Sequence, residues 1–517
     1  MNAPQKNRLE HWADSKPDAV ALIDGERRLS WRQWNEQADR LAQALVERGF
    51  GPDDVFAARL LNRLEWALLY AALAKIGCAL VGVNWRLTPS EINHILASAK
   101  ATGFVCDDAE PAALKPAFAG VALKRALSVQ AEADGFEPFA ELLRAEPVPR
   151  IASAYPKLIV FTSGTTGAPK GVVTGQVNPK AAEDLPDYLE AMRGAKPDGA
   201  QPAQEVVLVT MPMHHSAGPN IVRRGMDAGS TMVLMQRFDA EEALRLIDRY
   251  RVTSWNGVPT MFKRIAALPP EVLARYDVSS IRALSVGAAP VPWPLKQWIM
   301  DYFGECLREG YGATEVGMVT AMPPHMQKRK PGSSGKPYKG VRISIRDGAG
   351  RELPPGEVGE IWVRTPHTIS SYLSADAAGP DTIDADGYFR MGDVGYLDAD
   401  GYLFITDRSK DLIISGGVNI YPAEIEAVLC RHPAIQDVAV IGIPNDEFGE
   451  EVKAFCELKP GCSVDERELL RFAAGSLASY KRPKSIEFVA ELPRNTMGKV
   501  LKRELRDPYW KNKERKI

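Results

Sequence analysis

Apolar and polar residues alternate along the first half of the chain with two periods, one typical of helices and one of short strands. The helical spacing is clearest over residues 34–48 and 65–76, and the strand spacing over residues 54–60 and 79–83. The same alternation returns at residues 206–211, 240–250, 253–258, 260–267 and 281–286. Helices that alternate with short strands predict an α/β layer architecture for a large N-terminal domain.

Beyond residue 332 the pattern changes to short strands separated by turns. Strands are predicted over residues 341–346, 359–364 and 402–407. The turn signals in this part are the dipeptides Asp347-Gly348, Asp386-Gly387 and Asp400-Gly401. We therefore expect a small, β-barrel-like and mostly antiparallel unit here.

The pattern of apolar residues in the last part of the chain predicts a compact α+β domain. Helices are predicted over residues 422–430 and 465–475, and strands over residues 437–443, 452–458 and 486–489. The predicted domains are residues 1–406, which include the β unit at about 332–406, and residues 411–517, with a hinge at 407–410. Residues 174–204 are weakly patterned and rich in Pro, Gly and Ala, so we expect a loop-rich insertion there.

No membrane span is expected. The most apolar stretch, residues 66–85, is interrupted by Lys75, Gly77 and Gly82, whereas a span wants about 20 mainly apolar residues. A buried helix followed by a short strand explains this stretch better. The N-terminus is polar, with no apolar signal segment, and the six cysteines include no CxxC pair. These features predict a cytoplasmic protein without a disulfide scaffold or zinc cluster.

The composition is that of a globular protein with several domains. The chain has 517 residues, of which 45% are hydrophobic and 25% are charged, so a disordered or fibrous protein is excluded. The 64 basic and 66 acidic residues leave a formal net charge of −2. Such a balance shows none of the basic excess that nucleic-acid-binding proteins carry, and we expect no nucleic-acid partner.

The most specific motif follows an apolar run that ends at Phe161. Small residues there allow backbone amides to point into one concavity, hydroxyl groups add donors, and a lysine adds a positive charge. This composition suits the oxygens of a polyphosphate, although the motif is not a Walker A loop because it lacks the GK[ST] ending. The residues concerned are Thr162, Ser163, Gly164, Thr165, Thr166, Gly167 and Lys170.

Two further motifs are suited to a nucleotide. In Gly310-Tyr311-Gly312-Ala313-Thr314-Glu315, the glycines allow a flat ligand to approach the tyrosine ring. Thr314 can donate to a phosphate oxygen, and Glu315 is a hard oxygen ligand of the kind that Mg²⁺ prefers. In the second motif, residues 388–393, the carboxylate of Asp393 can accept both hydroxyls of a ribose.

Two charged motifs complete the set. Residues 406–411 lie at the expected domain boundary and are followed by Ser415, Gly416 and Gly417. Residues 493–499 place Lys499 directly after a glycine-containing loop, where a lysine can act as a mobile cation.

Together and in this order, the five motifs resemble the adenylate-forming superfamily, and specifically its acyl-CoA synthetase (fatty-acid-CoA ligase) branch. The resemblance runs from about Trp12 to Arg506, and the signature at residues 162–171 matches in full. It implies a large α/β domain and a small, mobile C-terminal domain. It also implies ATP, Mg²⁺ and coenzyme A as cofactors. A carboxylic acid is activated as acyl-AMP with release of pyrophosphate, and its acyl group then passes to the CoA thiol.

The resemblance implies a role for each motif residue. Residues 162–170 would bind the ATP phosphates, and Lys499, Thr314, Glu315 and His215 would be catalytic, with Glu315 holding Mg²⁺. Tyr311 would stack on adenine beside Gly287, Ala288, Ala289 and Gly312. Asp393 and Arg408 would bind the ribose, Lys410 would be the hinge, and Ser415, Gly416 and Gly417 would bind CoA. The acyl pocket would be formed by His215, Val286, Gly287 and Gly310.

Several features bear on the substrate. Ser216-Ala217-Gly218 offers no acid to grip an amino group, so amino-acid activation is not favoured. The small apolar residues near the expected acyl pocket favour a hydrophobic acid, whether fatty, cyclic, terpenoid or aryl. Arg223 and Arg224 leave a dicarboxylic, malonate-like acid open. A carrier-protein thiol as acceptor and a homodimer also stay open.

Overall fold

The computed structural model describes residues 8–152, 154–162, 169–193, 205–289, 291–369, 371–373, 382–415, 418–495 and 498–511. The first stretch contains α1 (Arg8–Ser15), β1 (Val20–Asp24), β2 (Arg27–Ser30), α2 (Trp31–Glu47), β3 (Val55–Arg59), α3 (Leu64–Ile76), β4 (Ala79–Gly82), α4 (Pro89–Ala99), β5 (Gly103–Cys106), β6 (Arg125–Ser128), β7 (Glu137–Pro138) and α5 (Phe139–Leu142).

Local signals explain where the helices of this stretch begin and end. The Ser30 hydroxyl accepts from the backbone N–H of Gln33, whose side chain returns a bond to the Ser30 backbone, so a capping box starts α2. Helix α3 ends at Gly77, which adopts a left-handed conformation with φ 74°. Twelve of its thirteen residues are buried, which confirms the expected buried helix. Within the described residues, no helix combines the length and apolarity that crossing a membrane requires.

The next stretch continues the alternation of helices and strands. It contains β8 (Leu158–Thr162), β9 (Lys170–Val173), α6 (Leu185–Arg193), β10 (Val206–Val209), α7 (Ala217–Ala228), β11 (Thr231–Leu234), α8 (Ala240–Tyr250), β12 (Ser254–Gly257), α9 (Pro259–Ala266), α10 (Pro270–Leu273), β13 (Ala283–Val286), α11 (Trp293–Phe303), β14 (Leu307–Ala313), β15 (Gly317–Met322) and β16 (Lys336–Pro337).

The expectation of a loop-rich insertion over residues 174–204 is wrong for its middle part. A short 3-10 helix at Pro179–Asp184 leads into α6. Tyr188 on α6 is buried, and its hydroxyl donates to the carbonyl of Met318 at 2.9 Å. Tertiary packing of this kind stabilises a short helix whose own sequence pattern is weak. Residues 194–204 lie outside the described part of the chain.

The remaining strands and helices form the β unit and the C-terminal part. They are β17 (Arg342–Arg346), β18 (Gly359–Arg364), β19 (Phe389–Leu397), β20 (Leu403–Arg408), β21 (Ile413–Ser415), β22 (Val418–Ile420), α12 (Pro422–Leu429), β23 (Ile435–Asn445), β24 (Gly449–Leu458), α13 (Glu466–Ala474), β25 (Ser485–Val489) and α14 (Lys502–Trp510). Further 3-10 helices lie at Pro111–Phe118, Pro324–Met326, Ser409–Asp411 and Ser479–Lys481.

Four sheets organise these elements. Two are large and mostly parallel: a nine-stranded sheet in the order β16-β15-β14-β13-β12-β10-β11-β1-β2 and a seven-stranded sheet in the order β7-β6-β5-β3-β4-β8-β9. The antiparallel sheet β17-β18-β19-β20 forms the β unit. A fifth strand, β25, pairs in parallel with β24 of the sheet β22-β21-β24-β23. Helices and parallel strands thus occupy the large domain as expected.

The hydrophobic cores divide between the sheets. The largest cluster packs α2 and α3 against the nine-stranded sheet and includes Trp31, Trp34, Trp66 and Trp255, all fully buried. The cluster of the β unit includes Ile405, whereas the cluster of the C-terminal part begins at Ile413. Between these two cores in the sequence lie only the end of β20 and one 3-10 turn, so the C-terminal part has a hydrophobic core separate from that of the β unit.

Candidate active site

Thr162 and Glu315 meet where the two large sheets approach each other. Thr162 ends β8 and pairs with Lys170, the first residue of β9. Its hydroxyl donates to Oε1 of Glu315 at 3.0 Å, across 153 positions of sequence. The intervening Ser163, Gly164, Thr165, Thr166 and Gly167 lie outside the described residues. The two strands that flank the first motif therefore pair beside Glu315.

The environment of Glu315 suits a single-carboxylate metal site. Burial raises the pKa of Glu315, and no Lys or Arg of the described residues forms an ion pair with it. No group of three or more His, Cys, Asp or Glu in the described chain could hold a metal by itself. Mg²⁺ commonly binds through one or two carboxylates together with substrate phosphates. Glu315 fits that mode of binding.

Tyr372 belongs to the same place and was not foreseen from the sequence. The Lys170 ammonium lies 5.3 Å from the centroid of the Tyr372 ring, and the backbone N–H of Leu373 donates to the Gly171 carbonyl at 2.8 Å. Burial and the neighbouring Glu315 carboxylate raise the pKa of Tyr372. Tyr372 is therefore a neutral phenol near both the lysine and the carboxylate.

Tyr311, Asp393 and Arg408 form one connected group. The Tyr311 hydroxyl donates to Oδ2 of Asp393 at 2.6 Å, and Nε of Arg408 lies 3.2 Å from Oδ1 of the same carboxylate. Asp393 on β19 and Arg408 on β20 are also cross-strand partners. Burial and the Asp393 charge raise the pKa of Tyr311. The nine-stranded sheet and the β unit are thus joined through this carboxylate.

Close backbone contacts shape the loop after β13. Val286 pairs with Glu309 in the parallel strands β13 and β14. A Cβ atom added to Gly287 would lie 3.0 Å from the Gly310 carbonyl oxygen. Ala288 follows with a positive φ of 66°, a conformation that non-glycine residues adopt rarely. This turn brings the carboxyl ends of two parallel strands together, where ligands of open α/β sheets bind.

The two histidines occupy a tight loop between β10 and α7. A Cβ atom on Gly82 would lie 2.5 Å from the His214 Cα, so this loop packs directly on β4. Burial lowers the pKa of His215 to about 4, so its imidazole is neutral at pH 7. The next residue, Ser216, places its hydroxyl 3.4 Å from that of Thr314. The ring of His215 is therefore uncharged, and the residue that follows it in the sequence lies against Thr314.

Lys499 reaches this group from the C-terminal part. Burial and the positive charges of Arg408 and Lys410 lower the pKa of Lys499 to about 7, while Asp393 and Asp411 oppose that shift. The preceding Gly498 has φ 71°, and a Cβ there would lie 2.1 Å from Oγ1 of Thr260. The loop that carries Lys499 is thus seated on α9 of the large domain. Thr496 and Met497 of this loop lie outside the described residues.

The other residues expected at the hinge and in the C-terminal part are Lys410 and the segment that begins at Ser415. Lys410 sits in the 3-10 turn between β20 and β21, and Arg506 donates to its carbonyl at 3.3 Å. Ser415 ends β21 and pairs with Val418 and Gly449. Among the described residues, no contact links Ser415 with Lys499 or Asp393. Gly416 and Gly417 fall outside the described part of the chain.

The structure therefore assembles most of the candidate residues at one place. Hydrogen bonds, ion pairs or close contacts connect Thr162 with Glu315, Tyr311 with Asp393 and Arg408, and Gly287 with Gly310. The charges of Asp393 and Arg408 also shift the pKa of Lys499. Tyr372 and Thr260 are additional members whose proximity has no signal in the sequence, because each contact joins segments far apart in the chain.

Comparison with known proteins identifies this arrangement. The family model of the AMP-binding enzyme matches residues 9–373, and that of the AMP-binding enzyme C-terminal domain matches residues 424–499. The chain belongs to the AMP-binding enzyme family. The resemblance to the adenylate-forming superfamily is thereby confirmed.

Individual members of the AMP-binding enzyme family align over nearly the whole chain. The fatty acid–[acyl-carrier-protein] ligase ScoC of Streptomyces coeruleorubidus is 34% identical, covering 98% of this chain and 96% of its own. The 2-succinylbenzoate–CoA ligase of Bacillus licheniformis is also 34% identical, covering 96% and 99%. The ATP-bound structure of MatB from Rhodopseudomonas palustris superposes with a TM-score of 0.83 at 29% identity, covering 98% and 99%. The predicted two-part fold is confirmed by this similarity.

Proposed function

We propose that this member of the AMP-binding enzyme family is an ATP-dependent acid:CoA ligase that activates a hydrophobic carboxylic acid. The observation that carries the proposal is that Tyr311 and Arg408 both contact the Asp393 carboxylate, whose charge also acts on Lys499. A cation from the C-terminal part is thus electrostatically coupled to the carboxylate suited to a ribose. The relatives ScoC and 2-succinylbenzoate–CoA ligase support the same reaction class.

The nucleotide would bind across the junction of the sheets. The phosphates would lie against residues 162–170, and the adenine would lie on Tyr311 beside the Gly287–Ala289 turn and Gly312. Asp393 would accept the ribose hydroxyls, with Arg408 beside it. Because Tyr311 and Arg408 already contact the Asp393 carboxylate, its orientation would be fixed before ATP binds, which lowers the cost of ordering the site.

In the first step, an oxygen of the acid forms a bond to the α-phosphorus while the bond to the bridging oxygen breaks and pyrophosphate leaves. Two anions must approach each other, so positive charge and amide donors have to stabilise the transition state. Lys499 and Thr314 would act at the α-phosphate oxygens, and Lys170 at the departing pyrophosphate. Glu315 would hold Mg²⁺, which neutralises charge on the phosphates when bound.

In the second step, the sulfur of a thiol bonds to the acyl carbon, the bond to the AMP oxygen breaks, and the thiol proton leaves. We infer that the C-terminal domain, residues 411–517, turns about the hinge at Lys410 between the steps. Ser415, Gly416 and Gly417 would then face the pantetheine. The separate hydrophobic cores on the two sides of residues 406–412 support such a motion.

The acid would occupy the space beside His215, Val286, Gly287 and Gly310. These residues are uncharged, because the lowered pKa of His215 keeps its ring neutral, so the pocket favours an apolar chain or ring. A second candidate, a dicarboxylic acid, is favoured by Arg223 on α7. Its buried Nε has no hydrogen-bond partner among the described residues, and its guanidinium lies 5.8 Å from the Tyr155 ring.

The acceptor thiol has a second candidate as well. The relative ScoC is named for an acyl-carrier-protein acceptor, so a carrier-protein thiol is the alternative to CoA. The experiment that tests the proposal measures pyrophosphate release with a panel of fatty, aryl, cyclic and dicarboxylic acids, and traps acyl-AMP with hydroxylamine. Each acid is offered CoA or a pantetheine-loaded carrier protein. Pyrophosphate release that needs no carboxylic acid would contradict the proposal.

A further inference from the structure

Two acidic residues of the C-terminal part, Asp437 and Glu457, lie opposite each other on neighbouring strands. They are cross-strand partners of β23 and β24, and like charges in such positions destabilise a sheet. Asp437 follows a shift in the register of β23, which is a feature that can re-aim a side chain, and it is 8% exposed. A buried carboxylate beside a second acid needs cations close to it. None of the roles proposed above uses this pair.

Two cations pair with Asp437, and they come from the two sides of the domain boundary. Nζ of Lys263, on α9 of the large domain, lies 2.6 Å from Oδ1 of Asp437. Nη2 of Arg494, within the C-terminal part, lies 2.7 Å from Oδ2 of Asp437 and 3.3 Å from Oε2 of Glu457. Burial opposes ionisation of Asp437, but Lys263 and Arg494 hold its pKa below the ordinary value. Asp437 is therefore a carboxylate that links the large domain to Arg494.

Arg494 continues this series of contacts to the loop that carries Lys499. Its Nη2 donates to Asp437, whereas its Nη1 donates to the Gly498 carbonyl at 3.1 Å. That carbonyl belongs to the peptide bond that joins Gly498 to Lys499. Because a guanidinium group is planar and rigid, the bond to Asp437 sets the direction in which Nη1 points. A continuous path of polar contacts thus leads from Lys263 through Asp437 and Arg494 to the backbone of Lys499.

Helix α9 contacts this part of the protein at a second point. Thr260 and Lys263 are three positions apart on α9 and therefore lie on one face of the helix. A Cβ atom on Gly498 would meet the Thr260 side chain, while Lys263 pairs with Asp437. The same helix face thus contacts both the loop of Lys499 and the carboxylate that orients Arg494. A rotation of the C-terminal part would break the two contacts together.

We propose that Asp437 and Arg494 are positioning residues for Lys499, and that Lys263 completes their arrangement only while the C-terminal part is seated on α9. The inference rests on the proposed ligase function. With Lys263 in place, Asp437 holds Arg494 against the Gly498 carbonyl, and Lys499 is kept where acyl-AMP forms. When the C-terminal part turns for the second step, Asp437 loses Lys263 and the loop leaves Thr260. Seating of the C-terminal part and placement of Lys499 are thereby coupled.

The test measures the two steps separately in single turnovers, with an acid that the wild type activates. Asp437→Asn, Arg494→Gln and Lys263→Gln each remove a charge-assisted bond, so acyl-AMP formation is expected to slow about tenfold. Thioester formation from supplied acyl-AMP is expected to keep the wild-type rate, because Lys499 has then left the site. Damage to the fold of the C-terminal part would slow both steps. Lys263→Gln alters the large domain alone, so it tests the inference even if Asp437→Asn fails to fold.

Two conservative variants separate positioning from charge. Lys263→Arg keeps the cation and should form acyl-AMP at the wild-type rate. Arg494→Lys also keeps the cation, but the two bonds of Arg494 come from two different nitrogens, and a lysine has only one. Arg494→Lys should therefore be as slow as Arg494→Gln. Lys481→Gln is the matched control, because the ion pair of Lys481 with Glu424 lies within the C-terminal part, and it should change neither rate.

The outcomes separate this inference from the function on which it rests. If the wild type releases pyrophosphate with an acid but Lys263→Gln and Arg494→Gln form acyl-AMP at the wild-type rate, the inference is overturned and the ligase function stands. Equal slowing of both steps, or a wild-type rate in Arg494→Lys, would overturn it too. If the wild type releases no pyrophosphate with any acid, the ligase function fails and the inference falls with it.

Discussion

The Tyr311 hydroxyl and the Asp393 carboxylate, 82 positions apart in sequence, form a hydrogen bond of 2.6 Å. This bond joins β14 of the nine-stranded sheet to the β unit at the place where the nucleotide would bind. Asp393 is 6% exposed, so water cannot readily replace a lost partner of its carboxylate. The same bond therefore serves both the stability of the junction and the orientation of the proposed ribose ligand.

Replacing Tyr311 by Phe tests this double role. The variant keeps the ring for adenine but leaves the buried Asp393 with one fewer donor, so we expect a loss of about 1 kcal/mol of unfolding free energy. The same loss in ATP binding corresponds to an increase of about fivefold in the KM for ATP. Urea unfolding and ATP-dependent pyrophosphate release measure the two effects.

Tyr396→Phe is the matched control for this change. Tyr396 lies on the same strand as Asp393 and stacks on Phe404 with centroids 4.9 Å apart, and its hydroxyl has no described hydrogen bond. The Tyr396→Phe variant should change neither the unfolding free energy nor the KM for ATP. If Tyr311→Phe leaves the KM for ATP at the wild-type value, Asp393 does not depend on Tyr311 for its orientation.

The helices and strands could be predicted because the spacing of their apolar residues is visible within each segment of the sequence. The helix expected at residues 240–250 is observed as Ala240–Tyr250, where the Asp239 side chain accepts from the Glu242 backbone at its start. Helix α6 escaped prediction because its stability depends on Tyr188 packing against Met318, a contact with a distant strand. Short amphipathic segments of this kind carry too few turns for the period to stand out.

The pKa of Lys499 predicts that ATP binding takes up a proton. In the free protein its lowered pKa of about 7 leaves the amine half neutral at neutral pH. A triphosphate favours the charged form, so the pKa rises on binding and ATP affinity falls as pH increases above 7, by up to about tenfold per pH unit. Calorimetric titration at pH 8 in buffers of different ionisation enthalpy measures the uptake.

Lys499→Arg is the informative comparison for this linkage. An arginine keeps the charge and does not titrate in this range, so proton uptake near pH 8 should disappear while ATP still binds. If the uptake persists unchanged in Lys499→Arg, another group is responsible and the lowered pKa of Lys499 has no part in ATP binding.

Lys499→Ala should separate the two proposed steps. The first step needs the cation at the α-phosphate, so acyl-AMP formation should fall by about a hundredfold or more, the range seen when one transition-state donor is removed. Conversion of supplied acyl-AMP to thioester should continue, because Lys499 would then have left the site. A folded variant that loses both steps to the same extent would contradict the two-position interpretation of the C-terminal domain.

Residues of the candidate site could be predicted from the sequence only where they belong to a recognisable motif. Thr162, Tyr311, Asp393 and Lys499 belong to motifs whose composition indicates phosphate or ribose chemistry, and the fold brings them together. Tyr372 and Thr260 could not be found in that way, because nothing in their own neighbourhood in the sequence differs from an ordinary loop or helix start. Their place becomes visible only through Lys170 and Gly498, which they contact in space.

Gly498 is expected to control the position of Lys499. Its φ of 71° and the 2.1 Å separation between an added Cβ and Oγ1 of Thr260 leave no room for a side chain while the loop is seated on α9. Gly498→Ala should therefore displace the loop and slow acyl-AMP formation, while thioester formation from supplied acyl-AMP continues. Single-turnover measurements of each step with the same acid distinguish the two rates.

Gly461→Ala provides the control that separates backbone strain from the loss of space. Gly461 lies in the same C-terminal part with φ 75°, yet an added Cβ there meets no atom within 4 Å. Both variants force alanine into the left-handed region and should lose about 1 kcal/mol of stability or more, but only Gly498→Ala creates a clash with the large domain. Equal slowing of acyl-AMP formation in both would show that the seat on Thr260 is irrelevant to the first step. A defect confined to Gly498→Ala would mean that contact between the two domains sets where the Lys499 charge is held.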